Sequence, residues 1–102
     1  MSHVFPPPPT PSVAVAGETR RFPVRRIFCV ALNYADHARE MGKDPGAEPP
    51  FFFTKPADAI VADGETIPFP GLTTNLHHEI ELVAALQSGG SDIAPDRALD
   101  CV

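Results

Sequence analysis

The chain has 102 residues, enough for a single domain. Eight Lys and Arg stand against thirteen Asp and Glu, which gives a formal net charge of -5. This acidic balance argues against a nucleic-acid partner, because binding phosphates requires a basic surface. No apolar run approaches the roughly 20 residues that span a bilayer, and the N-terminus lacks the basic start and apolar core of a signal peptide. We therefore expect a soluble, cytoplasmic protein with no membrane partner.

Thirteen prolines limit the amount of regular structure, because each removes a hydrogen-bond donor from a sheet or interrupts a helix. A run of four at 6–9, with Pro11 close behind, favours a stiff polyproline II segment. We predict a proline-rich N-terminal arm over residues 1–17 and a folded segment over residues 18–102. The alternative role of the arm is a docking peptide for an aromatic-lined groove.

Four stretches of the sequence predict β-strands. Residues 12–16 alternate small polar and apolar side chains, and residues 22–32 are rich in Val, Ile and Phe, which predicts a buried strand. The aromatic run at 51–55 predicts a short strand that Pro56 stops. Residues 78–86 have a charged start and an apolar end, and they predict a fourth strand.

Two helices and one turn are also predicted. Asn33 is a suitable N-cap for a helix over 34–41, which Gly42 would close. Asp63 and Gly64 form a turn signal. Pro95 suits the first turn of a second helix. Because the chain stops about two turns into that helix, we expect a fragment of a longer protein.

The first candidate site is formed by Glu79 and Glu81. On a strand the side chains alternate, so both carboxylates would share one face while Ile80 points to the other. Their mutual repulsion would be relieved by a divalent cation such as Mg²⁺, which prefers oxygen ligands. His77 would share that face and would instead invite zinc or iron. The alternative is a solvent-facing strand edge with two charges.

The second candidate site is formed by His37 and Glu40. Residues three apart share one face of a helix, so the carboxylate could orient the imidazole and favour one tautomer. Such a histidine could act as a general base that activates water. An ordinary surface pair on a polar helix is the alternative.

Three sequence words then occur in a fixed order: RIFCVALNYADHAREM at 26–41, EPPFFFTKP at 48–56 and NLHHEIEL at 75–82. Together they resemble the amino-terminal portion of the fumarylacetoacetate hydrolase family, and within it the fumarylpyruvate and acylpyruvate hydrolases. The likeness covers residues 22–102. It implies an α+β, mainly β fold, a mixed β-roll or sandwich with short helices, incomplete in this chain and homodimeric at full length. Residues 18–102 would be the amino-terminal part of the catalytic domain.

The resemblance also implies roles for the candidate residues. Glu79 and Glu81 match the positions of two ligands to Mg²⁺ or Mn²⁺, and His37 and Glu40 match a water-activating dyad on a mobile lid. Lys55 lies in the family's Phe-x-Lys-Pro word and receives no role. The family's third acidic ligand and the basic residues that grip the substrate fall beyond the last residue of this chain.

The implied activity is metal-dependent hydrolysis of a carbon–carbon bond in an acylpyruvate, a small 2-keto acid, with fumarylpyruvate as the specific substrate. The alternatives are a catalytically silent fragment or partner-dependent subunit, and an oxaloacetate decarboxylase or dienoate isomerase of the same family. One departure from the family concerns the backbone: Ala31 stands where a glycine is usual, and its methyl group could crowd a close approach.

Overall fold

The structure, a computed structural model, describes residues 1–33, 41–42 and 49–102. The predicted helix over 34–41 falls almost wholly outside these ranges, and so do His37 and Glu40. Contacts group the chain into two units, Met1–Ile67 and Pro68–Val102. Each unit is described by itself below.

The first unit begins with a small antiparallel ladder. Strand β1 (Ser12–Val13) pairs with strand β2 (Phe22–Pro23), and the Val24 N–H extends the ladder by donating to the Pro11 carbonyl at 2.8 Å. The Arg21 guanidinium, next to β2, also contacts β1: it donates to Ser12 Oγ at 2.7 Å and to the Ser12 carbonyl at 2.9 Å. The strand predicted over 12–16 is therefore present but two residues long.

A turn follows β1 and explains why that strand is short. The Glu18 N–H donates to the Val15 carbonyl at 3.2 Å. Gly17 has a φ of 73°, a conformation that costs glycine little and other residues more. The chain thus reverses its direction as soon as it leaves β1.

The second ladder is the largest regular element of the chain. Strand β3 (Ile27–Ala31) pairs antiparallel with strand β4 (Phe51–Lys55) over five residue pairs, from Ile27 opposite Lys55 to Ala31 opposite Phe51. The strand predicted over 51–55 is confirmed at both ends. The strand predicted over 22–32 is divided into β2 and β3, which pair with different partners, β1 and β4.

Apolar side chains remain exposed on both faces of the β3–β4 ladder. Phe28 is 64% exposed, Phe51 67% and Phe52 59%. The strand predicted to be buried is only half-buried at Ile27 and Cys29. No side chain among the described residues is fully buried. An isolated two-stranded ribbon is only marginally stable in water. Further protein surface packed against these apolar side chains would stabilise the ladder.

Two short features end the first unit. Pro56 ends β4 and leads into the 3₁₀ helix Ala57–Ala59. Further on, the Glu65 N–H donates to the Ala62 carbonyl at 3.1 Å. Gly64 has a φ of 83°, so the predicted turn at Asp63 and Gly64 is confirmed.

The second unit contains a single regular element among its residues, all of which the structure describes. The 3₁₀ helix Pro95–Cys101 begins at the proline that predicts it. Its last carbonyl accepts hydrogen bonds from the N–H groups of Gln87 at 2.8 Å and Ser88 at 3.4 Å. The prediction of a strand over 78–86 is wrong, since these residues belong to no strand. A segment cannot form a ladder without a partner strand, whatever its own sequence pattern.

The helix at the end of this unit is tighter than an α-helix. The Arg97 N–H donates to the Ala94 carbonyl and the Val102 N–H to the Leu99 carbonyl, a spacing of three residues that defines the 3₁₀ form. The Arg97 guanidinium also pairs with the Asp100 carboxylate at 2.8 Å. The regular structure of the described residues is thus mainly β with short helices, as predicted. None of the helices in the described ranges is long and apolar enough to cross a membrane.

Backbone strain lies at the residue after β3. Leu32 has a φ of 54°, in the left-handed region that costs an L-residue with a Cβ roughly 1–2 kcal/mol. Ala31, where the family prefers glycine, is an ordinary strand residue opposite Phe51. The position whose conformation favours glycine or asparagine is therefore Leu32, one residue later.

Replacing Leu32 with asparagine should stabilise the β3–β4 ladder by about 0.5–1 kcal/mol, because asparagine tolerates the left-handed conformation. Hydrogen exchange of the β3 and β4 amides should slow by about twofold to fivefold. The control is Leu72→Asn, at a fully exposed leucine without a positive φ. Equal effects of the two substitutions would contradict the assignment of strain to Leu32.

Candidate functional site

The candidate metal ligands lie in the second unit, in the extended segment that precedes its 3₁₀ helix. Glu79 and Glu81 are both exposed, and so is His77. Because the segment is not a strand, the alternation that would place both carboxylates on one face no longer follows from secondary structure.

Two hydrogen bonds connect residues just before the candidate ligands. The Asn75 N–H donates to Thr73 Oγ1 at 3.0 Å, and His77 Nε2 lies 2.7 Å from Asn75 Oδ1. Because an amide oxygen only accepts hydrogen bonds, this contact favours the His77 tautomer that carries its proton on Nε2 and its lone pair on Nδ1. Asn75 is a positioning residue that the sequence patterns did not single out.

The carboxylate oxygens of Glu79 and Glu81 are suitable ligands for a hard divalent cation, but two carboxylates alone do not complete its coordination shell. Carboxylate oxygens such as those of Glu79 and Glu81 are the ligands that Mg²⁺ and Mn²⁺ prefer. Within the described ranges, no group of three His, Cys, Asp or Glu side chains is arranged to hold a metal ion. These two residues could therefore supply part of a coordination shell, and further ligands would have to come from elsewhere.

The candidate dyad belongs to the connection between β3 and β4. His37 and Glu40 lie outside the described residues, so their i, i+3 pairing stays a prediction. The ladder nevertheless fixes where their segment starts and ends, because Ala31 and Phe51 are direct cross-strand partners. Residues 32–50 must leave and return at this one end of the ladder.

The strongest electrostatic effect in the described residues lies away from both candidate sites. The Arg20 guanidinium donates to Glu18 Oε2 at 2.7 Å, and the Arg20 and Thr19 backbone N–H groups donate to Oε1. The side-chain bond from Arg20 is the main reason that the pKa of Glu18 is lowered to about 2. Glu18 therefore stays ionised in acid. The stabilisation of the folded state by the Glu18–Arg20 pair is complete above the ordinary glutamate pKa, and it is lost as the pH falls towards 2.

Comparison with known proteins identifies the family. Residues 26–102 match the family model described as fumarylacetoacetate (FAA) hydrolase C-terminal. The chain belongs to the fumarylacetoacetate hydrolase family. The predicted resemblance to this family of enzymes is thereby confirmed, and all three sequence words that carry it fall inside the matched range.

A solved structure confirms the predicted fold. The chain is 52% identical to a Pseudomonas aeruginosa fumarylpyruvate hydrolase solved in complex with Mn²⁺ and pyruvate. The TM-score is 0.88, and the match covers 98% of this chain and 45% of the other. The fold is thus that of a fumarylacetoacetate hydrolase-type protein, of which this chain spans a little under half.

Curated relatives with other activities also match. The bovine mitochondrial oxaloacetate tautomerase FAHD1 is 38% identical over 78 residues, which cover 76% of this chain and 35% of the relative. A mitochondrial oxaloacetate decarboxylase of Dictyostelium discoideum is 39% identical over 79 residues, which cover 76% of this chain and 36% of the relative. The chain spans about a third of the length of these relatives.

The bond from Asn75 to His77 yields a testable prediction. In Asn75→Ala, the neutral His77 ring should lose part of its Nε2–H tautomer, because the acceptor that holds the proton there is gone. Nitrogen NMR of the imidazoles at alkaline pH measures this fraction. His78 serves as the internal control and should not change. An unaltered His77 tautomer ratio in the variant would refute the positioning role of Asn75.

Proposed function

We propose that this chain contributes to a divalent-metal-dependent hydrolase that cleaves a carbon–carbon bond in an acylpyruvate, with fumarylpyruvate as substrate and fumarate and pyruvate as products. One observation carries the proposal: the 52% identity over 98% of the chain to a fumarylpyruvate hydrolase solved with Mn²⁺ and pyruvate. The Mn²⁺ of that structure supports a hard divalent cofactor. Its pyruvate supports a 2-keto acid as the ligand class.

The metal ligands that this chain would supply are Glu79 and Glu81. Both carboxylates are exposed and so can take up an ion without the cost of opening a core. Mg²⁺ and Mn²⁺ both suit carboxylate oxygens. When bound, such an ion would supply Lewis-acid polarisation of the oxygens of the 2-keto acid.

The proton transfer would fall to His37. Its imidazole would take a proton from water, whose oxygen then attacks the distal carbonyl carbon of the substrate. The carbon–carbon bond next to that carbonyl would then break, and the pyruvate enolate that leaves would take up a proton to give pyruvate. Glu40 would hold the other ring nitrogen and so set the tautomer that keeps the basic nitrogen towards the water. The dyad would lie in the connection of residues 32–50, which begins and ends next to the paired residues Ala31 and Phe51. The longer enzyme would act as a homodimer.

Oxaloacetate chemistry is the second candidate function. The relatives named for oxaloacetate tautomerase and oxaloacetate decarboxylase are 38% and 39% identical to this chain. Oxaloacetate is, like an acylpyruvate, a 2-keto acid that can enolise. The higher identity to the fumarylpyruvate hydrolase supports acylpyruvate cleavage more strongly than oxaloacetate chemistry.

A chimeric enzyme tests the proposal at full length. Residues 1–102 replace the matched 45% of the Pseudomonas aeruginosa chain, and loss of the fumarylpyruvate enol absorbance is followed with Mn²⁺, with Mg²⁺ and with EDTA. We expect metal-dependent turnover that His37→Ala lowers by about 10²–10⁴ in kcat. His3→Ala, in the exposed N-terminal arm, is the matched control and should have no effect.

Two outcomes of this assay would contradict the proposal. A folded chimera that converts oxaloacetate but leaves fumarylpyruvate unchanged would overturn the substrate assignment. Equal rates for His37→Ala and His3→Ala would overturn the role of the histidine. The 102-residue chain assayed alone shows in addition whether this chain is catalytically silent without further residues.

A further inference from the structure

A cleft opens where the β3–β4 ladder ends. The register pairs Ile27 with Lys55, and the next pair in the same register would be Arg26 with Pro56. Since proline has no N–H, the ladder stops there and the chain turns into the 3₁₀ helix Ala57–Ala59. The two strands separate and leave a cleft of about 380 Å³ between residues 25–27 on one side and residues 54–57 on the other.

Three cations line this cleft without a matching anion. Arg25, Arg26 and Lys55 are among its seven lining residues, and none of the other four is acidic. Within the described part of the chain, the recorded ion pairs use Arg20 and Arg97 instead. Three of the eight Lys and Arg of an acidic chain are thus gathered at one cleft, which creates a local positive potential.

The remaining lining residues indicate which kind of anion fits. Ile27, Pro56 and Ala57 present apolar surface, while the Thr54 hydroxyl adds one neutral hydrogen-bonding group. A water molecule takes up about 30 Å³ of liquid, so the cleft is far larger than one inorganic ion requires. Cationic side chains beside apolar walls match an anion that carries a short hydrocarbon body.

We propose that the cleft between residues 25–27 and 54–57 is a binding site for small dicarboxylate anions. Arg25, Arg26 and Lys55 provide the charge, with the planar guanidinium groups suited to a carboxylate. The ligand's hydrocarbon part lies against the apolar wall. The proposal uses none of His37, Glu40, Glu79 or Glu81, so it does not depend on the proposed function.

Succinate is the probe for this site. Titrated into the isotopically labelled 102-residue chain, it should shift the amide NMR signals of residues 25–27, 54, 55 and 57. The shifts should weaken with added salt, because exposed charges are screened. The neutral analogue succinamide should cause no such shifts, and inorganic phosphate should bind more weakly than succinate since it has no hydrocarbon part.

A matched pair of variants isolates the cleft. Arg26→Gln with Lys55→Gln should weaken succinate binding by about fivefold to tenfold, given what exposed ion pairs contribute. The control, Arg20→Gln with Arg97→Gln, removes the same charge elsewhere and should bind as the unaltered chain does. All four side chains are exposed, and unchanged β1–β2 amide signals verify folding.

Three results would overturn the proposal. The first is that succinate shifts no signal at the cleft. The second is that both double variants lose binding equally, which would show general attraction to positive charge. Phosphate binding tighter than succinate would show that the site selects inorganic oxyanions, and the dicarboxylate assignment would be wrong.

Discussion

The antiparallel pairing of Ile27–Ala31 with Phe51–Lys55 is the constraint on which the first unit depends. It fixes the two ends of the connection that carries His37 and Glu40. At the opposite end it brings Lys55 across from Ile27, beside Arg26, where Pro56 forces the strands apart. A one-residue slip in this register would turn every side chain of one strand to the other face and dismantle the cleft.

The described residues build little hydrophobic core around this pairing. Phe28, Phe51 and Phe52 stay more than half exposed, and side-chain burial is the dominant favourable contribution to folding. The solved structure that this chain matches contains the same fold within a chain more than twice as long, since the match covers 45% of it. Exposed aromatic faces of this kind favour contact with further protein surface.

The sequence predicted correctly those ends of strands and helices that a proline determines. Strand β4 was predicted to the residue, because an aromatic run meets a proline that cannot continue the ladder, and Pro95 likewise marked the start of its helix. Strand β3 was predicted too long, since the apolar stretch around it belongs to two strands that pair with different partners. The strand predicted over 78–86 failed because pairing depends on a distant partner that periodicity does not reveal.

The sequence words indicated the family, which the family model confirms. The roles of His37, Glu40, Glu79 and Glu81 stay predictions. The hydrogen bond between Asn75 and His77 and the cleft at Lys55 became visible only in three dimensions. The positive φ of Leu32 was likewise not predicted from the sequence. Spacing along the chain indicates which residues could cooperate, whereas their distances depend on how the backbone turns.

Direct Mn²⁺ binding tests the central claim that Glu79 and Glu81 supply metal ligands. Electron paramagnetic resonance of free Mn²⁺, titrated with the chimeric enzyme, should show one bound ion per chain, and Glu79→Gln with Glu81→Gln should abolish it. Asp63→Asn with Glu65→Gln removes two carboxylates at the same spacing and should leave binding intact. Undiminished Mn²⁺ binding by the Glu79 and Glu81 variant would contradict the account.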